Sequence, residues 1–150
     1  MRRRRKAREF ALRILYQSDI TKEDPRDIIS TFWRHKSYPE DIRLFTERLV
    51  RDTVENIETI DHLIEESSEH WHLERIGIVE RNILRIAVNE FLSMDDIPHN
   101  VTIDEAIEIA KRFGTDDSAG FVNGILDKIK KEIEKENLID KDKDPLSRVY

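Results

Sequence analysis

Cysteine is absent from the 150-residue chain, which rules out disulfides and thiolate metal sites and fits a reducing compartment. Glycine and proline are scarce, at four residues each, too few for the turn density of a strand-rich fold. No stretch approaches the roughly 18 consecutive apolar residues of a membrane span. FALRILY, which follows the leading arginines, is broken by Arg13 and closed by Asp19 before it reaches the length of a signal-peptide core, and no small-residue cleavage site follows. A glycine-rich phosphate loop, a G-x-S-x-G elbow and a cysteine nucleophile are all missing, so the expectation is a cytoplasmic, non-enzymatic protein with no cofactor.

What the chain has in quantity is charge. Charged residues make up 39% of it, with 26 Lys and Arg against 32 Asp and Glu, for a net charge of −6. The distribution is uneven. Arg2, Arg3, Arg4, Arg5, Lys6 and Arg8 bring six positive charges and no acid within the first eight residues, so residues 9–150 carry −12. An anionic body repels a polyanion at long range, and any contact with one is expected to be local to this basic end.

Apolar residues recur at spacings of three and four almost throughout, which predicts an all-α fold of about seven helices in two packed bundles. Ala7, Phe10, Ala11, Ile14, Leu15 and Ser18 form the core stripe of the first helix. Pro25 opens a second helix, Glu40 a third, and a fourth begins near Thr59. From Gly77 to Met94 apolar positions cover more than half the circumference, the mark of a central helix packed on several sides. Thr102 and Glu105 read as a capping box for the sixth helix, and Gly114 as its C′ stop. The last helix is expected to run to about Asn137, giving one domain over 1–137 and a frayed tail over 138–150.

Arginine offers phosphate a planar fork of donors, so the basic end suits a nucleic-acid backbone, although a solvated start that serves only solubility would look the same. Sequence preference for unpaired RNA needs stacking and base-edge contacts. Phe121, at the margin of the last core stripe, is either a core residue or the stacking ring; Asn123 beside it suits a base edge and Lys128 a phosphate. On the first helix, Leu12, Tyr16 and Ile20 fall opposite the core stripe, which means a helix sandwiched between neighbours or a face that meets a partner. Glu80 lies inside the apolar arc of the central helix and needs either an internal arginine, one from helix 1, or a partner.

The segments RRRRKAREFALRILYQSDI, VERNILRIAVNEF and IPHNVTIDEAIEIAKRFGTDDSAGFVNGILDKI resemble, in order, the NusB family of bacterial transcription antitermination factors. That resemblance implies two three-helix bundles with a basic leading helix and no catalysis. It implies binding of single-stranded boxA RNA together with ribosomal protein NusE, on an elongating RNA polymerase that then resists termination, notably on ribosomal RNA operons. Arg2 to Lys6, Arg8 and Phe121 match the family's RNA surface, and Tyr16 and Glu80 match positions that meet NusE or the nearby RNA. Gly120 departs from the pattern, where many relatives carry a lysine.

Two other readings compete. His62, Glu65, Glu66, Glu69, His70 and His72 cluster in sequence, but the cluster holds a single Glu-x-x-His, Glu69 to His72, where a bundle di-iron centre needs two, and no metal is expected there. A protein-interaction module without sequence-specific RNA binding would use the same first and central helices, with the arginines only assisting.

Overall fold

The structure is a computed structural model that describes residues 2–69 and 72–143, with the side chains of 138–143 left aside. Among them are seven α-helices and no strand: α1 (Arg2–Thr21), α2 (Pro25–Phe32), α3 (Glu40–Glu55), α4 (Ile57–Ser67), α5 (Ile78–Ser93), α6 (His99–Phe113) and α7 (Ser118–Lys143), with a 3₁₀ turn at Leu73–Arg75. None of these helices is long and apolar enough to cross a membrane.

Helices α1, α2 and α3 pack as one bundle, and α4, α5, α6 and α7 form the second around α5, which also touches α1 and α3. The first bundle is keyed by an aromatic cluster. Phe10 meets Phe32, Trp33 and Tyr38 edge to face, with ring centroids 5.5, 5.4 and 4.7 Å away. In the second bundle Leu84, Ala87 and Val88 of α5 and Val122, Leu126 and Ile129 of α7 are closed off from solvent.

Helix starts follow the local chemistry where the signals are strong. The Asp24 carboxylate accepts the Arg26 amide at 2.9 Å, with Pro25 in the first turn. That carboxyl is held at about 2, first by the Arg26 side chain and then by its backbone N–H. Two expectations need correction. Helix α4 begins at Ile57, because Asn56 alone makes the turn and its amide side chain bonds Asp52 O and Ser93 Oγ. Thr102 and Glu105 are not a capping box. Helix α6 starts at His99 after Pro98, and both residues lie inside it, buried, where Thr102 Oγ1 donates to Glu90 and Glu105 receives Arg5.

Gly114 does stop α6, but not through a left-handed backbone, since its φ is −96°. Space is the reason: a Cβ there would collide with the Ser118 side chain and stand 2.8 Å from Ala110 O. Gly114→Ala is therefore expected to cost about 1–3 kcal/mol by overpacking, measured by urea denaturation. Helix α7 runs to Lys143, past the expected end near Asn137, and the rest of the tail lies outside the described residues.

Candidate nucleic-acid interface

The basic end is the first turns of α1, and folding brings Arg3, Arg4, Arg5 and Arg8 each an acid from elsewhere in the chain, while Lys6 meets one on α1 itself. Arg3 Nη1 donates to both oxygens of Asp41 on α3, at 2.8 and 3.0 Å. Arg4 lies 3.8 Å from Asp96 and over the Phe45 ring, 4.8 Å from its centroid. Arg5 grips Glu105 through Nε and Nη2, at 2.7 and 3.1 Å. Lys6 sits 3.9 Å from Glu9, whose other oxygen accepts Arg112 at 2.8 Å. The Glu105 hydrogen bonds, and then its charge, push the Arg5 pKa above its usual value.

These pairs divide into two kinds. Arg3–Asp41 and Arg4–Asp96 lie at the surface, with side chains 48–64% exposed, where an ion pair is worth little and exchanges readily. Arg8 is the opposite case and corrects the sequence reading. Its side chain is 3% exposed, and its Nε and Nη2 each donate to Glu90 at 2.8 Å. Withdrawing it to meet a phosphate would leave Glu90 buried without its counter-ion, so Arg8 anchors α1 to α5.

Leu12 needs the same correction. At 4% exposure it is buried and forms the floor of a groove. Arg13, Tyr16, Gln17, Val79 and Phe113 line the rest of it, with a volume of about 420 Å³. Tyr16 and Ile20 remain exposed beyond that floor, as the wheel placed them.

A second hollow, of about 550 Å³, opens where the 3₁₀ turn and the start of α5 face the start of α7. Phe121 lines it with Arg75, Ile76, Gly77, Glu80, Thr115, Asp117 and Ser118. Among the described residues no arginine of α1 pairs with Glu80; its Oε1 accepts the Ser118 hydroxyl. Ser118 Oγ in turn accepts the Thr115 amide at 2.8 Å, so the carboxylate is fixed by the start of α7. Glu80 thus joins Phe121, while its neighbour Val79 faces the Tyr16 groove. Neither Asn123 nor Lys128 lines this hollow. Asn123 is exposed, and Lys128 bonds Glu69 at 2.9 Å two turns along α7, in an acidic recess with Glu66, Glu132 and Glu136.

Sequence reasoning missed Arg75 and Ser118. Arg75 falls in the stretch where helical periodicity fails, and its place before Gly77 carries no pattern. Ser118 reads from sequence only as a helix-start hydroxyl.

An all-helical scaffold with a cationic edge, a hollow lined by the half-buried Phe121 and an apolar groove between them defines a binding protein suited to a polyanion and a protein partner together. The NusB family model matches residues 5–131, and the chain belongs to that family. It is 50% identical over 129 residues to the transcription antitermination protein NusB of Bacillus thuringiensis (strain Al Hakam), across 85% of this chain and 97% of that one. With the namesake from Thermodesulfovibrio yellowstonii it shares 40% over 141 residues, across 87% and 93%. Among solved structures it is similar to T. maritima NusB, with a TM-score of 0.81, 44% identity and coverage of 86% and 91%. It is also similar to a crystal structure of antitermination factors NusB and NusE in complex with dsRNA, with a TM-score of 0.80, 30% identity and coverage of 88% and 98%.

Proposed function

We propose that this protein is a cytoplasmic transcription antitermination factor. It binds single-stranded boxA RNA together with ribosomal protein NusE, on an elongating RNA polymerase with other Nus factors, and so opposes termination, notably on ribosomal RNA operons. The observation that carries this reading is the pairing of a cationic α1 edge with the Phe121 hollow, either side of the groove that holds Tyr16. Arg2, Arg3, Arg4, Arg5 and Lys6 supply phosphate contacts, Phe121 stacks, and Tyr16 anchors NusE over the Leu12 floor. The similarity to a NusB crystallised with NusE and RNA supports it.

Filter binding of boxA RNA against a scrambled RNA, with and without NusE, tests this directly. Retention should favour boxA and increase with NusE. A second reading, a protein-interaction module, draws on the acids that already occupy the arm. Equal retention of both RNAs would favour that module.

Asp117 lines the hollow at the start of α7, where its carboxylate favours the helix N-terminus but opposes phosphate. Asp117→Asn is expected to tighten RNA binding about two- to five-fold, within the range of a surface charge interaction. Weaker or unchanged affinity at fixed salt would show that this side chain does not face RNA.

A further inference from the structure

The row of cations on α1 is interrupted once, and a second helix repairs it. At about 3.6 residues per turn the outward stripe of α1 carries Arg2, Lys6, Glu9, Arg13 and Tyr16, with Glu9 the one acid among them. Yet Glu9 is 3% exposed. Arg112, in the last turn of α6, reaches across to it and donates Nη1 to Glu9 Oε1 at 2.8 Å. Glu9 Oε2 is buried, lies 3.9 Å from Lys6 Nζ and accepts no hydrogen bond among the described residues. One buried acid thus sits beneath two cations, and the stripe stays positive to solvent along its length.

Arg112 also stands where the basic end gives way to the rest of the interface. Phe113, the next residue, lines the Tyr16 groove, and Thr115 lines the Phe121 hollow. Residues 112–115 therefore lead from the acid on α1, past the groove, to the hollow, and a strand that touches both ends must cross them. We infer that Arg112 holds a backbone phosphate of the RNA as the strand crosses from α1 toward the Phe121 hollow, with Glu9 as its positioning residue. The inference rests on the RNA reading above and adds a contact on α6 that the α1 arginines do not supply.

A guanidinium carries five N–H donors, and Glu9 engages only Nη1, on a side chain that remains 59% exposed. The group is held from two sides, by the Glu9 carboxylate and by the Phe113 ring, whose centroid is 5.2 Å away. Ordering it in advance removes part of the entropy cost that a loose arginine meets on binding. Arg3 and Arg4 differ, because exposed acids occupy them and compete with phosphate. Glu9 is buried on the protein side, so a phosphate can meet the remaining donors of Arg112 with the Glu9 bond intact. Glu108, one turn back on α6, is met by Lys111 at 3.4 Å.

Methylphosphonate linkages, which remove the charge of one phosphate at a time, test this from the RNA side. BoxA RNA with a single such linkage at each position in turn would be titrated by filter binding against the full chain with NusE. At about 0.1 M salt one linkage should cost about five-fold with the unaltered protein, the worth of one counterion-release contact, and close to nothing with Arg112→Gln. Arg112→Gln should also weaken unmodified boxA about five-fold and reduce the slope of log K against log salt by about 0.7. Arg51→Gln removes the same charge from an exposed site on α3 and should leave the linkage pattern unchanged. Glu9→Gln removes an acid, yet should lessen the cost of that one linkage, because Arg112 loses its charged support. The pair Glu9→Gln with Arg112→Gln leaves no buried charge unpaired and should match Arg112→Gln, which separates lost contact from lost stability. If every linkage costs the same with Arg112→Gln as with the unaltered protein, Arg112 touches no phosphate, and the inference fails while the RNA reading stands. That unchanged pattern together with weaker NusE capture in the absence of RNA assigns Arg112 to a protein carboxylate instead. If no linkage matters and boxA is retained no better than scrambled RNA at low salt, the RNA reading beneath it fails.

Discussion

Glu90→Ala is expected to destabilise the protein by about 3–5 kcal/mol, measured as the loss in unfolding free energy in urea. Glu90 is 1% exposed and accepts two hydrogen bonds from Arg8 and one, at 3.1 Å, from Thr102. Truncation removes all three acceptor contacts and leaves the Arg8 charge inside the core, with Glu105 at 3.9 Å as its nearest remaining acid. That residual neighbour places the cost toward the lower end. Replacing both partners by apolar residues, as in Arg8→Met with Glu90→Leu, should recover much of the loss, because the desolvation of two charges disappears with them. A double-mutant cycle then returns a coupling energy well above the few tenths expected of unconnected sites. If Glu90→Ala costs less than about 1 kcal/mol, the pair is not buried in solution as it is here. The same anchor has a functional side, since it ties α1 to α5, and without it the basic edge has no fixed orientation toward the Phe121 hollow.

How much of this was legible from sequence depended on the range of the interaction concerned. The helices and the central place of α5 follow from local spacing, and Pro25, Glu40 and Pro98 mark boundaries that the backbone respects. Arg8 and Leu12 show where that ended. They lie four residues apart on one side of α1, and spacing alone left the Leu12 face open between packed neighbours and a partner. In the fold, Ile83, Ile86 and Ala87 of α5 and Ala106 and Ile109 of α6 cover it as far as Leu12. The cover stops short of Tyr16, which stays exposed. Only tertiary packing decides where such a cover ends.

The acids facing the arm were hidden for the same reason. Asp41, Asp96 and Glu105 stand 38, 92 and 100 positions from the arginines that they meet, and from sequence they are simply part of the anionic body. The capping-box motif at Thr102 and Glu105 was a local pattern whose side chains were claimed by distant partners instead. Glu80 was correctly singled out as a carboxylate needing a partner, but the partner is a serine from α7.

Neutralising Arg2, Arg3 and Arg4 together, each to glutamine, is expected to weaken boxA RNA binding roughly a hundredfold at about 0.1 M salt. Three phosphate contacts on a single strand contribute a salt slope of about 0.7 each, and at that ionic strength the counterion-release term amounts to about two powers of ten. Arg5 is left in place because Glu105, 3% exposed, holds it as a fixed fork, with its outer edge still 42% exposed. Stability should scarcely change, since Arg2 is exposed and the Asp41 and Asp96 pairs lie at the surface. The acids add a second test. In the free protein Asp41 and Asp96 do part of the work of counterions, so phosphate must displace them before it meets Arg3 and Arg4. Asp41→Asn with Asp96→Asn should therefore tighten binding at low salt and steepen the slope, by up to about 0.7 for each arginine released. A uniform gain in affinity with an unchanged slope would mean that these carboxylates act only through the long-range field. Unaltered boxA binding in the triple glutamine variant would remove α1 from the RNA surface altogether.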